Sequence, residues 1–322
     1  MPLSTVGIRG RNMPTLMKGN KWNERKDALD RKGNPIVQYP VWVEVKHDEI
    51  RCEVAVLGEI GALEVQYLSY AGKPLANMRQ FDGAFKTLFL NTGLRLFDLG
   101  FEANGNFNDS YRWVRSTRGI PADLLGCKHR FFLFDLPERA DLHLVGRLEH
   151  MSGAVTRWKL ARYLDHPDAP PLERAEGWFC SSATEVDARF LEVRERGLEG
   201  LMVKQFGHKY SPGKRTDAWL KMKPENDADG VISELHEAVC GVDQPELGLR
   251  AGDHLGRIGS VTVRLEDGSE ASPHGIPHAL GVDMYLNPQV YLYQWCEFKY
   301  MERDRQGGYR HPTFNRLREA KK

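Results

Sequence analysis

Residues 199–204 read EGLMVK, and residues 219–226 read WLKMKPEN. Short strands are predicted over residues 201–205 and 218–222. Lys221 and Lys223 would share one face of their strand, because side chains repeat every two residues. Two ammonium groups on one face repel each other unless an anion lies between them, so the pattern favours a phosphate site. An exposed edge strand that carries lysines as protection against aggregation is the alternative.

A third lysine ends another strand earlier in the chain. Residues 41–46 read VWVEVK and alternate apolar with polar side chains, which predicts a strand with one buried face. Alone, a charged strand end is most often solvated. A lysine in this position can also act as a nucleophile if burial or neighbouring cations lower its pKa. The lysines of the two segments above could be those cations, so Lys46 is the candidate nucleophile.

The pattern on either side of these segments indicates two domains. The predicted elements of the first part are strands over residues 53–57, 63–70 and 131–136 and helices over 78–90 and 184–197. After residue 228 the helical signals nearly vanish, and strands are predicted over 257–265 and 290–300. We therefore expect a boundary near residue 228, followed by a small all-β domain.

Length and composition agree with a globular, two-domain protein. The chain has 322 residues, 41% of them hydrophobic, and a formal net charge of +1. This balance excludes a wholly basic DNA-coating protein and an acidic disordered chain. Six Lys/Arg against one acid nevertheless lie between residues 204 and 223. Five widely spaced cysteines and the lack of an apolar leader or membrane span predict a reduced, cytoplasmic protein.

Two other patterns do not form a site. The segment around Gly213 and Lys214 does not fit a P-loop, because Gly207 is one position too far away and Arg215 replaces the required Ser or Thr. His274 and His278 have a ligand-like spacing, but adjacent prolines interrupt any helix that would align them. We interpret both histidines as loop residues.

In this order, the segments resemble the covalent nucleotidyltransferases, and most closely the small ATP-dependent DNA ligases of bacteriophages. The resemblance runs from about residue 41 to the C-terminus. The matching segments are residues 46–51 (KHDEIR, for KxDGxR), 69–72 (SYAG, the second motif), 134–135 (FD, an aromatic-Asp motif), 199–204 (EGxxxK), 221–223 (KxK) and 310–321 (the Arg-rich last motif).

The resemblance implies an α+β fold. It implies a nucleotidyltransferase (adenylation) domain of antiparallel sheets flanked by helices over residues 1–228, and a C-terminal OB-fold β-barrel over residues 229–322. The implied activity is sealing of nicks in duplex DNA through a lysine–AMP and an adenylated 5′-phosphate intermediate, as in DNA replication and repair. The implied cofactors are ATP and Mg²⁺, and the implied partner is nicked double-stranded DNA. The protein would be a monomer without membrane contact. If it is phage-encoded, it would be located in the cytoplasm of a bacterial host.

The resemblance also assigns roles to residues of this chain. Lys46 would be the AMP-accepting nucleophile, assisted by Lys204, Lys221 and Lys223. The implied nucleotide-binding residues are Glu44, Arg51, Glu102, Phe134, Glu199, Lys204, Lys221 and Lys223, with Phe134 stacked on adenine. Glu199 is the candidate metal ligand. Arg310, Arg316, Arg318 and Lys321 would orient pyrophosphate, and DNA would lie on Lys209, Lys214 and Arg215, with the basic N-terminal residues a second candidate surface.

Three residues depart from the family pattern. Glu49 replaces the glycine of KxDG, Tyr70 replaces an arginine of the second motif, and Ala320 replaces the aspartate of the last motif. The alternatives are an RNA ligase, which usually lacks the Arg-rich last motif, an mRNA capping enzyme, which would use GTP, and a DNA-binding relative with impaired catalysis. Retention of the four lysines and two glutamates favours an active ligase.

Overall fold

The structure, a computed structural model, describes residues 16–303 and 306–318. The chain divides into two compact units, Met1–Met222 and Lys223–Lys322. The elements of the first unit are β1 (Lys18–Lys21), α1 (Trp22–Arg25), β2 (Val41–Lys46), β3 (Ile50–Leu57), β4 (Glu64–Ser69), α2 (Asp82–Thr92), β5 (Leu96–Ala103), α3 (Phe107–Arg115), β6 (His129–Asp135), α4 (Leu144–Leu164), β7 (Leu172–Arg174), β8 (Gly177–Cys180), α5 (Ala183–Glu195), β9 (Gly200–Gln205) and β10 (Arg215–Met222).

The first unit contains two five-stranded sheets. The first sheet has the order β1-β10-β9-β2-β8, and the second sheet has the order β4-β3-β5-β6-β7. Most neighbouring strands are antiparallel, as expected, but β1 runs parallel to β10 and β7 runs parallel to β6. The sheets are therefore mixed rather than purely antiparallel, within an α+β fold.

The alternation of residues 41–46 positions the lysine that ends β2. Val41, Val43 and Val45 are buried in the core under α5. The intervening side chains therefore lie on the opposite face of the first sheet, and Lys46 is the last of them. Helix α5 begins after Ser182, whose hydroxyl accepts the Glu185 N–H at 3.2 Å, as in a regular N-cap. Local sequence rules thus account for this part of the site.

The second sheet packs on three helices, α2, α3 and α4. Helix α2 was predicted from the sequence, whereas α3, α4 and β5 were not. Helix α4 is hard to recognise because its buried face includes Arg147 beside Met151, Ala154 and Trp158. A buried arginine resembles a solvent-facing residue in a periodicity analysis. Within the described residues, no helix is long and apolar enough to cross a membrane.

The second unit is a five-stranded sheet with two helices. Its elements are β11 (Asn226–Val239), β12 (His254–Arg264), β13 (Glu270–Ala271), α6 (His278–Leu286), α7 (Pro288–Tyr291), β14 (Trp295–Tyr300) and β15 (Thr313–Arg318), and the sheet order is β13-β12-β11-β14-β15. His274 forms bridges with both Ser260 and Thr313, which connect β12 to β15. The sheet is thereby closed into a barrel.

Three predictions for this unit were wrong. The unit is not all-β, because α6 and α7 precede β14, and the strand expected from residue 290 begins at Trp295. His278 is the first residue of α6 rather than a loop residue, since Pro277 is tolerated at the position before a helix. His274 does lie outside any helix, as expected.

Candidate active site

The candidate nucleophile forms an ion pair. Lys46 Nζ donates a hydrogen bond to Glu199 Oε2 at 2.5 Å and a weaker one to the carbonyl oxygen of His47 at 3.3 Å. The Lys46 side chain is 19% exposed and that of Glu199 is 5% exposed. An ammonium group in an ion pair has no lone pair for attack. The structure therefore holds Lys46 in a resting state that must exchange partners before it can react.

A second ion pair lies deeper in the same face of the first sheet. The Lys204 ammonium contacts Glu44 Oε1 and donates to the carbonyl oxygen of Phe134 at 2.7 Å. It also lies 4.3 Å from the centre of the Trp219 ring. Both side chains of the pair are almost completely buried, and burial raises the pKa of Glu44 while Lys204 lowers it. Lys204 is thus bound to Glu44 in this structure and supports the site from within.

The other oxygen of Glu44 is also occupied. Trp42 Nε1 donates to Glu44 Oε2 at 3.2 Å, so both carboxylate oxygens have a protein partner. Carboxylate oxygens carry further lone pairs, and Glu44 could still accept from the amino group of a base. The resemblance pointed to Glu44 and Lys204 separately, whereas their pairing becomes visible only in the folded chain.

The aromatic side chains of β6 form the opposite wall. Phe134 is 9% exposed and packs with Met17, Tyr210 and Trp219, while Phe132 belongs to the same cluster. His47 stacks on Phe132 with ring centres 3.7 Å apart. Burial, reinforced by Arg130 and Lys46, lowers the pKa of His47 to about 4, so its ring is neutral near pH 7. The expected base-stacking residue is therefore present, but most of its ring is already covered.

Glu49 lies beside Phe134 on the backbone of Gly100. A Cβ on Gly100 would come within 2.3 Å of Glu49 Cγ and within 2.7 Å of the Phe134 ring, so only glycine fits there. Glu49 Oε2 is buried and has no hydrogen-bond partner among the described residues. Burial raises the pKa of Glu49 to about 7, with Lys46 opposing this shift. The extra carboxylate therefore faces inward and contributes to the site.

The raised pKa of Glu49 predicts a pH-dependent stability. The folded protein binds a proton here that the unfolded chain, with an ordinary pKa of 4.5, has already released, so the contribution of Glu49 to stability falls as pH rises from about 4.5 to 7. Glu49→Gln cannot ionise. The free energy of unfolding can be measured in urea at pH 5 and pH 8. Between these two pH values the wild type should lose on the order of 3 kcal/mol more stability than Glu49→Gln. An equal change of stability with pH in wild type and Glu49→Gln would contradict the raised pKa of Glu49. Glu64→Gln, at an exposed position of β4, is the control.

Arg51 is held by a residue that the sequence analysis did not identify. Its guanidinium donates to both oxygens of buried Asp98, at 2.9 and 2.6 Å. Tyr210 Oη donates to Asp98 Oδ2 at 2.8 Å and accepts the Met17 N–H at 2.8 Å. An acid inside the apolar strand β5 was the only available signal. Arg51 has its planar donors directed to Asp98, so any contact with a ribose would use its remaining N–H groups.

A second buried pair was also missed. Arg147 of α4 donates to Asp135 Oδ1 at 2.7 Å and to Oδ2 at 3.2 Å, and both side chains are at most 1% exposed. Its third bond, at 2.7 Å, goes to the carbonyl oxygen of Leu142. The aspartate of the aromatic-Asp motif thus anchors β6 to α4 through Arg147.

The remaining nucleotide-binding candidates lie farther along the strands. Glu102 is opposite Arg130 across β5 and β6, and burial raises the pKa of its carboxyl. Lys221 is in register with Met202 of β9, beside the Glu199 segment. Lys223 lies one residue beyond the end of β10. The alternation placed both lysines on one face of the strand, but only Lys221 lies within it. Lys223 opens the second unit.

The expected DNA-binding cations are at the surface. Lys209, Lys214 and Arg215 are exposed, although Arg215 also donates to the carbonyl oxygen of Gly19 at 2.6 Å. Tyr70 is 36% exposed, and Lys18 Nζ lies 4.4 Å from the centre of its ring. A cation from β1 therefore lies where the family pattern would have an arginine.

The arginines of the last motif have acidic partners inside the second unit. Arg316 and Arg318 both bind Glu297, and Arg318 also contacts Asp229 at 3.0 Å. Hydrogen bonds, chiefly from Arg318, lower the pKa of Glu297 to about 2. Arg310 binds Glu302 at 2.7 Å. Lys321 and Ala320 lie outside the described residues.

The donor set suits Mg²⁺ only in part. Within residues 16–303 and 306–318 there is no group of three His, Cys, Asp or Glu side chains that could hold a metal ion. Mg²⁺ commonly uses one or two carboxylates together with water and phosphate oxygens. Glu199, beside Lys46, fits such a role, and the other ligands would come from the nucleotide and from water.

Comparison with known proteins agrees with this geometry. Residues 128–223 match the family model described as the ATP dependent DNA ligase domain. Over this segment the chain is similar to ATP-dependent DNA ligases. The chain is 33% identical over 151 residues to the DNA ligase of Enterobacteria phage T3. The aligned segment covers 45% of this chain and 40% of the phage protein. The match therefore spans less than half the length of the curated relative.

Solved structures show the same fold over nearly the whole chain. The ATP-dependent DNA ligase of bacteriophage T7 in complex with ATP superposes with a TM-score of 0.52 and 22% identity, covering 96% of this chain and 99% of that one. A Lig E DNA ligase superposes with a TM-score of 0.62 and 18% identity, covering 94% and 99%. The chain thus has the expected α+β fold, a first unit of two mixed sheets with helices followed by an OB-fold barrel.

Proposed function

We propose that this chain is an ATP-dependent DNA ligase that seals nicks in duplex DNA. The observation that carries the proposal is the placement of Lys46 at the end of β2, 2.5 Å from Glu199 of the EGLMVK segment and opposite the aromatic side chains of β6. This arrangement supplies a nucleophile, an acidic partner and a wall for a base. Residues 1–228 would act as the adenylation domain and residues 229–322 as the OB-fold domain.

In the first step the neutral Lys46 amine attacks the α-phosphorus of ATP. A P–N bond forms, the bond to the bridging oxygen breaks, and pyrophosphate leaves with the electron pair of that oxygen. Lys46 must first lose its bond to Glu199 and one proton. Lys221 and Lys223 would stabilise the negative charge on the phosphate, whereas Lys204 is bound to Glu44.

Mg²⁺ is the metal that this site would use, held by Glu199, phosphate oxygens and water. When bound, it neutralises phosphate charge. Arg310, Arg316, Arg318 and Lys321 are proposed to orient the pyrophosphate. The arginines would exchange acidic partners such as Glu297 and Glu302 for phosphate.

In the later steps AMP passes from Lys46 to the 5′-phosphate of a nick. The 3′-hydroxyl then attacks that phosphate, forms the new phosphodiester bond and expels AMP. Lys209, Lys214 and Arg215 offer exposed positive charge for the DNA backbone, so binding should depend little on sequence and weaken with salt. The reaction would take place in the cytoplasm, with the protein as a monomer.

The proposal predicts covalent labelling followed by sealing. Purified protein with Mg²⁺ and α-labelled ATP should acquire one AMP per chain, and the label should be lost when nicked DNA is added. Parallel reactions with a nicked RNA duplex and with α-labelled GTP separate the alternatives. Sealing of RNA in preference to DNA indicates an RNA ligase, labelling by GTP in preference to ATP indicates a capping enzyme, and absence of any label contradicts nucleotidyl transfer.

A further inference from the structure

The carboxylate of Glu49 has no role in the reaction as described so far. Its Oε2 atom is buried without a hydrogen-bond partner, although it lies in a region rich in donors. Buried polar atoms are rarely left unpaired, because each loses its bonds to water without replacement. An unpaired acceptor at the edge of a ligand site is therefore a position at which a ligand donor can bind.

The donors of the neighbouring residues are directed elsewhere. Arg51 donates to Asp98 with its Nε and one terminal nitrogen. Lys46 donates to Glu199 and to the carbonyl oxygen of His47. Both cations lie near enough to influence Glu49 electrostatically without bonding to it. Glu49 Oε2 is thus an open acceptor position for a donor of a bound ligand.

The location of Glu49 indicates which part of the nucleotide it faces. Glu49 rests on Gly100 side by side with the ring of Phe134, the proposed base platform, and it follows the nucleophile Lys46 by three residues. In a nucleotide, the sugar connects the base to the α-phosphate. A group placed between the base platform and the nucleophile is consequently placed beside the sugar, whose hydroxyls are hydrogen-bond donors.

We propose that Glu49 accepts a hydrogen bond from a ribose hydroxyl of ATP and thereby selects ribonucleotides over deoxyribonucleotides for adenylation of Lys46. The inference rests on the proposed function and adds a specificity residue to it. A site built to bond a hydroxyl rejects the analogue that lacks it, because its polar group is then left unpaired. Gly100 makes this possible, since any larger residue there would displace Glu49.

The test compares ATP with 2′-deoxyATP and 3′-deoxyATP in the labelling reaction at pH 8, where Glu49 is largely ionised. Wild type should react about 10-fold or more slowly with one of the two analogues, since bonds to charged groups are among the stronger ones. Glu49→Gly should reduce that ratio to within about 3-fold of unity. Glu49→Gln, which keeps a neutral acceptor, should give an intermediate ratio, and Glu64→Gln should behave as wild type.

Each outcome decides the inference. Equal rates of wild type with all three nucleotides, or an unchanged ratio in both Glu49 variants, would overturn it while the ligase proposal stands. If Glu49→Gly does not fold by circular dichroism, Glu49→Gln carries the comparison. Failure of wild type to label with ATP itself would remove the ligase proposal and this inference together.

Discussion

Replacing Lys46 with alanine should abolish covalent labelling by ATP, with a loss of roughly 10³-fold or more. The Lys46 amine is the candidate nucleophile at the end of β2, and the Glu199 carboxylate that pairs with it cannot replace it. Lys46→Arg should be equally inactive, because the guanidinium keeps the charge but remains protonated. The measurement is label retained on the protein after denaturing electrophoresis, with Lys159→Ala on the exposed face of α4 as the matched control.

A pre-adenylated nick separates loss of chemistry from loss of structure. The final step, attack of the 3′-hydroxyl, does not use the Lys46 amine. Lys46→Ala should therefore still seal DNA that already carries AMP on its 5′-phosphate. Labelling of Lys46→Ala at the wild-type rate would exclude Lys46 as the nucleophile, whereas failure on both substrates would point to a folding defect that circular dichroism can detect.

Arg147→Met should destabilise the first unit by about 3–5 kcal/mol. The substitution leaves Asp135 fully buried without its cation and removes the bonds that join β6 to α4. It also leaves the carbonyl oxygen of Leu142 without its 2.7 Å donor. Urea unfolding followed by tryptophan fluorescence reports this change, because Trp158 lies on the same buried face of α4.

The double variant tests the physical reason for this effect. Asp135→Leu combined with Arg147→Met removes both charges, so the large penalty for an isolated buried carboxylate disappears and about half or more of the lost stability should return. Arg157→Met, at an exposed position of the same helix, should change stability by less than about 0.5 kcal/mol. A loss below about 1 kcal/mol in Arg147→Met would show that the pair adds little to stability.

The sequence predicted those features that depend on local pattern. The alternation of residues 41–46 predicted β2 and its terminal lysine, and Gly197, with φ of +75°, ends the helical region after α5 as expected. Lys46 and Glu199, which form an ion pair in the site, both lie in short motifs that could be recognised in the sequence. Such signals depend on a few adjacent residues, so the partner surface does not have to be known.

Partner choice between distant residues was not predictable. Asp98 binds Tyr210 across 112 positions, and Lys204 bonds to Phe134 across 70. The lysine pattern suggested phosphate ligands throughout, whereas Lys204 neutralises Glu44 inside the protein. Glu49 stood out in the sequence only as a departure from the family pattern. Its inward position depends on the missing side chain of Gly100, which lies on another strand.

The parallel pairing of β1 with β10 has a consequence for synthesis on the ribosome. Gly19 accepts a hydrogen bond from Arg215, 196 positions later, and Met17 bonds to Tyr210 across 193 positions. The edge of the first sheet therefore cannot form until almost the entire first unit has left the exit tunnel. Until then the charges of Lys18 and Lys21 disfavour pairing of this short segment with strands of other nascent chains.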